Sequence, residues 1–140
     1  MSDTFDAKKY GAYLSIPFVF TNATTGEAAT DLAISGGTST GMAMPAAGSV
    51  VAITAQCAAI TAGTITLNAH LGGTEFTEAA APAPALSSAN DTNGTYASVR
   101  PGALTFSAGD VLGISMTTTT TLNPTNTLDG NAVLIVQLDA

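Results

Sequence analysis

The sequence predicts an all-β protein, an antiparallel β-sandwich entered through an amino-terminal arm, on three observations. Short runs rich in Val, Ile, Thr and aromatic residues alternate apolar and polar positions with a period of two. Gly, Pro, Asn and Asp punctuate these runs roughly every dozen residues, whereas apolar residues at helical spacing are nearly absent. Finally, 46% of a 140-residue chain is apolar. That is enough for one domain to hold a core without crosslinks.

Taken in order, the first strand spans 13–21 and contains Pro17, which lacks a ladder donor and so predicts an edge position or a bulge. Residues 31–35 and 40–44 form two short strands. In 49–57, Val51, Ile53, Ala55 and Cys57 share one face, with Thr54 and Gln56 on the other. The run 64–71 is cleaner: Ile65, Leu67, Ala69 and Leu71 face in, while Thr64, Thr66, Asn68 and His70 face out. His70 is therefore expected at the surface or at an interface. Residues 95–100, 103–107 and 110–119 follow as strands. The last run, 131–138 (NAVLIVQL), is nearly continuous in apolar residues, which predicts a central strand with both faces covered.

The connections carry their own signals. Ala47-Gly48-Ser49-Val50, Ala62-Gly63-Thr64-Ile65 and Ala108-Gly109-Asp110-Val111 place the same turn at the mouth of three strands. Their unequal spacing argues against a solenoid. Residues 78–94 contain Ala-Pro-Ala-Pro and read as a long loop, of the kind that is mobile or binds a partner. The threonine run in SMTTTTTLNPTNT, residues 115–127, reads as a strand end entering a rim loop, with Asn123-Pro124 making the turn. Residues 1–38 are assigned to the arm and edge strands and 39–140 to the sandwich, one structural unit overall. Such strand and turn spacing fits Greek-key or jelly-roll connections.

Charge excludes whole classes of function. Ten acidic residues against three basic ones give a net charge of −7, and no Lys or Arg occurs between Lys9 and Arg100. Nucleic acid, which demands clustered cations, is not an expected partner. No uninterrupted apolar run reaches 18 residues, so no membrane-spanning helix and no membrane partner are expected. The start of the chain lacks the basic and apolar regions of a secretory signal.

Chemistry is sparse. Cys57 and His70 are the sole residues of their types, and strand alternation points Cys57 inward and His70 outward, away from a catalytic pairing. Asn90-Asp91-Thr92-Asn93-Gly94 lacks the later acids of a calcium loop and reads as an Asn-Gly turn. No catalytic residue, cofactor or metal site is predicted, and the chain is not expected to be an enzyme. Lys8 and Lys9, followed by Tyr10 and Tyr13, form the one concentration of positive charge, which reads either as a solvated arm or as a patch that docks on an acidic partner surface.

Three segments, Met42-Ala43-Met44-Pro45-Ala46-Ala47-Gly48-Ser49-Val50-Val51, Ile60-Thr61-Ala62-Gly63-Thr64-Ile65-Thr66-Leu67 and Phe106-Ser107-Ala108-Gly109-Asp110-Val111-Leu112-Gly113-Ile114, resemble in kind and order a layout found in tailed-phage virion proteins. The resemblance runs from Met42 to the carboxyl terminus. It implies a sandwich of jelly-roll or tumour-necrosis-factor-like type and a structural virion role. The implied role is most like that of a capsid decoration (cement) protein, made in the host cytoplasm, which binds the major capsid protein on the capsid surface and associates as a homotrimer. The alternative is a tail-fibre or receptor-binding tip. The absence of a shaft segment before the sandwich favours the free-standing accessory protein. On that reading Lys8, Lys9, Tyr10, Tyr13, Phe18 and Phe20 make the capsid or subunit contact.

Overall fold

The computed structural model describes residues 12–139. Strands and turns account for all regular structure among these residues, with no helix. The strands are β1 (Ala12–Ala23), β2 (Thr30–Asp31), β3 (Ala33–Ile34), β4 (Met42–Ala43), β5 (Gly48–Cys57), β6 (Ile65–Leu71), β7 (Thr74–Glu75), β8 (Ala85–Leu86), β9 (Thr95–Ser98), β10 (Thr105–Phe106), β11 (Val111–Thr118) and β12 (Leu128–Leu138). They form two antiparallel sheets. The first has the order β10-β5-β12-β1-β3, with β9 also on β5; the second has β2-β11-β6-β7, with β4 on β11 and β8 on β6. The all-β sandwich expected from alternation is the observed architecture.

The two sheets meet through their inward positions. Ile16, Phe18, Val50, Ile53, Leu134 and Val136 from the first sheet pack over Ile65, Leu67, Leu112 and Ile114 from the second, each at most 1% exposed. At about 1.5–3 kcal/mol per fully buried side chain, this layer is the main source of stability. The strands at the sheet margins are short: β2, β3, β4, β7, β8 and β10 have two residues each and β9 has four. Short edges of this kind limit uncontrolled strand pairing.

Pro17 fits because β3 reaches only Phe18 and Val19, leaving most of that side of β1 unpaired. A bulge corrects the predicted face of β5. Ile135 pairs with Ala52 and Val136 with Val50, so Val51 has no partner on β12 and Val50 takes its core position. The strand β12 is central in its sheet, paired to β5 on one side and β1 on the other. Its two faces differ, contrary to the sequence expectation. Ala132, Leu134 and Val136 are buried, whereas Val133 and Ile135 are half-buried and Asn131 is exposed.

Residues 78–94 are not a free loop. Their Pro82, Pro84 and Leu86 are buried, the Pro84 carbonyl accepts the Leu67 amide at 3.1 Å, and β8 pairs with β6. Proline suits this sheet edge, where no outward donor is required. The threonine run behaves as predicted. Thr118 ends β11, Thr119 Oγ1 accepts the Thr64 amide at 3.0 Å, and Leu122 is buried ahead of the cis Asn123-Pro124 peptide.

Candidate functional site

Of the six residues predicted to make a partner contact, Lys8, Lys9 and Tyr10 lie outside the described residues. Tyr13 stands 67% exposed on β1. Phe18 and Phe20 are core residues, 0% and 5% exposed. Alternation along β1 sends Ile16, Phe18 and Phe20 inward together. A partner would have to open the sandwich to touch either phenylalanine.

His70 occupies the outward face of the second sheet, as alternation predicts, yet it is 2% exposed. The roof is the chain between β2 and β4, whose Thr40 carbonyl lies close over Gly113, the residue paired with His70. Asp31 on β2 brings Oδ1 to 3.4 Å from His70 Nε2. The Gly73 amide donates to His70 Nδ1 at 3.3 Å, which in a neutral ring places the proton on Nε2. Beside them the buried Ser115 hydroxyl donates to the Glu75 carboxylate. Ser115 is thus engaged with Glu75, and His70 faces Asp31. The constellation joins β2, β6, β7 and β11 through one polar seam, in which His70 and Ser115 are buried, Glu75 is half-buried and Asp31 stays exposed. Sequence alternation assigns the face correctly but carries no signal for a roof supplied by residues 30–44.

Cys57 lies at the other end of the first sheet, on the inner face. Burial, followed by the nearby Asp91 carboxylate, pushes its thiol up to about 11. A thiol in that state is protonated at neutral pH and is no nucleophile. Asp91 itself is structural: its carboxylate accepts the Ile60 amide at 2.8 Å and the Thr92 amide at 2.6 Å. These backbone donors, Ile60 first, hold its pKa below the usual carboxylate value. A depressed carboxylate contributes stability that is present above the ordinary Asp range and is lost as pH falls through the folded-state pKa, so the loss lies below about pH 4. Asp91→Asn is accordingly expected to be less stable than wild type at neutral pH, with the gap narrowing under acid. Urea unfolding at neutral and strongly acidic pH measures both. Among the described residues no group of His, Cys, Asp or Glu is placed to hold a metal ion.

A candidate surface is the outer face of the first sheet. Cross-strand register aligns Tyr96 with Thr54 and Val133, Gln56 with Asn131, and Ala52 with Ile135. On the far side of β12, Pro17 pairs with Val133 and Tyr13 with Gln137. Tyr96 is 72% exposed. It borders a shallow groove of about 380 Å³ lined by Thr54, Gln56, Asn93, Thr95 and Asn131. Gln56 is held by its amide, which donates to the Thr92 carbonyl at 2.8 Å. The groove contains no charged side chain.

No protein-family model matches the chain, and no curated protein matches it either. Solved structures do. A chain in the structure of the cyanophage Pam1 capsid asymmetric unit superposes with a TM-score of 0.52 at 15% identity, covering 99% of each chain. A chain in the acid-stable capsid structure of Helicobacter pylori bacteriophage KHP30 gives a TM-score of 0.51 at 11% identity, over 94% of this chain and 91% of that one. Identity this low makes the likeness one of fold. A similar fold, matched over nearly the whole of each chain, occurs in both phage capsid structures.

Proposed function

We propose that this chain is a structural virion protein that binds the outer surface of a phage capsid and stabilises the shell as a decoration (cement) protein, without catalysis. The observation that carries the reading is the end-to-end fold likeness to chains of two phage capsid structures. The Ala-Gly strand entries and the order of the motifs, which resemble jelly-roll or tumour-necrosis-factor-like virion domains, support it independently. The polar groups are consistent with a binder: Ser115 is tied to Glu75, His70 is roofed, and the Cys57 thiol is held protonated. In this reading the partners are the major capsid protein and further copies of the chain, assembled as a homotrimer on the virion.

Stabilisation then follows from linkage. A protein that binds the assembled shell and not its free subunits favours assembly, by about 2.7 kcal/mol per site at a hundred times Kd. Many symmetric copies multiply that modest contact. The test uses expanded shells that lack the protein. Added full-length chain is expected to co-sediment with them and raise the temperature at which they break open. Absence of co-sedimentation overturns the reading. Binding to host cells without shell affinity would instead assign the chain to a fibre tip.

A further inference from the structure

We infer that the outer face of the first sheet is an interface with a second copy of this chain. This deepens the self-association proposed above and names the surface that makes it.

The first observation is an unpaid hydrophobic signal. The run 131–138 has the composition of a strand covered on both sides, but only its inward half is buried. Val133 and Ile135 lie on the outward half, in the middle of the sheet, flanked by Pro17 on β1 and by Ala52 and Tyr96 toward the other edge. An aliphatic centre flanked by exposed tyrosines is the composition of an interface core, where charged residues are depleted and aromatics enriched.

Charge identifies the occupant. The chain carries −7 overall, so two copies meeting through acidic surfaces repel. Along the outward row of β12 no charged side chain lies between Asp129 and Asp139, which stand at its two ends. An uncharged centre lets two acidic chains approach while their carboxylates stay at a solvated rim, screened over roughly 8 Å at physiological salt. Arg100 supplies an attraction. It is the sole Lys or Arg among the described residues, is exposed, follows Tyr96 and Ser98 in alternation at the end of β9, and forms no ion pair within the described chain. A rim carboxylate of the neighbouring copy is its natural partner. The groove beside Tyr96, lined by Thr54, Gln56, Asn93, Thr95 and Asn131, offers the neighbour uncharged hydrogen-bonding groups.

Light scattering and sedimentation of the full chain over a broad dilution series test the inference. Wild type is expected to have a mass that is a multiple of the monomer. Val133→Arg is expected to be monomeric with an unchanged β-type circular dichroism spectrum, and Tyr96→Ala to weaken association about tenfold. Tyr13→Ala and Tyr96→Ala alter exposed positions, so they carry the test even if Val133→Arg unfolds. Arg100→Glu is expected to weaken association and to flatten its salt dependence. A wild type that is monomeric throughout, or surface variants that assemble as wild type does, overturns the inference. A monomer that still binds capsid shells sinks this inference alone. A stable oligomer that ignores shells sinks the capsid reading alone. A monomer whose Tyr96 groove takes up a neutral oligosaccharide overturns the inference in favour of a glycan surface.

Discussion

Phe18→Ala is expected to lose about 3–5 kcal/mol of folding stability, the usual cost of removing a buried phenylalanine and leaving a cavity. Phe18 is fully buried, paired with Ala132 on β12 and Ile34 on β3, in the layer where the two sheets meet. The cavity would open at the centre of the sandwich, where the paired strands on both sides restrict collapse. Tyr13→Ala, five residues earlier on the same strand but 67% exposed, should change stability by less than about 0.5 kcal/mol. Urea denaturation of the two variants side by side separates a core aromatic from a surface one. The contact hypothesis for Phe18 requires the reverse: near-wild-type stability with lost partner binding.

Gly113→Ala is the second large effect, at about 1–3 kcal/mol for forced overpacking. A methyl group there would press on the Thr40 carbonyl and come within 2.5 Å of both Cε1 and Nε2 of His70. The carbonyl belongs to the roof backbone and the imidazole is buried beneath it, so neither yields without lifting the segment over His70. Faster hydrogen exchange in residues 30–44 should accompany the loss in urea stability. Adding His70→Ala to Gly113→Ala is expected to recover part of the loss by removing the ring, while the Thr40 carbonyl remains. Gly37→Ala provides the contrast. Its nearest neighbour would be 3.9 Å away, and the change should stay within about 0.5 kcal/mol. Equal effects at the two glycines would mean that the roof does not press on Gly113.

The same contrast divides what is local in this protein from what is not. Alternation along a strand is a property of the chain itself, since successive side chains point to opposite faces whatever they meet. Hence Ile65, Leu67 and Ala69 were assignable to the core, the threonine run to a strand end, and His70 to the outward face of its strand. Burial on the outward face depends instead on which distant segment comes to lie there. His70 is covered because residues 30–44 cross it. The proline-containing stretch 78–94 is held down because β6 has a free edge to receive it. Val50 replaces Val51 in the core because β12 sets a register that β5 meets only through a bulge.

The contact set shows both sides. Alternation alone places Phe18 and Phe20 on one face of β1 and Tyr13 on the other, but only the packing of the second sheet decides which of those faces is sealed. The run 131–138 marks the remaining gap: its composition asks for two covered faces, and a single chain covers one. By itself the sequence determined an acidic all-β sandwich, its long strands and most of their inward residues, because those follow from composition and period. Only the tertiary structure decided which outward faces are roofed, which are edges and which stay open, because burial there depends on residues far away in the chain.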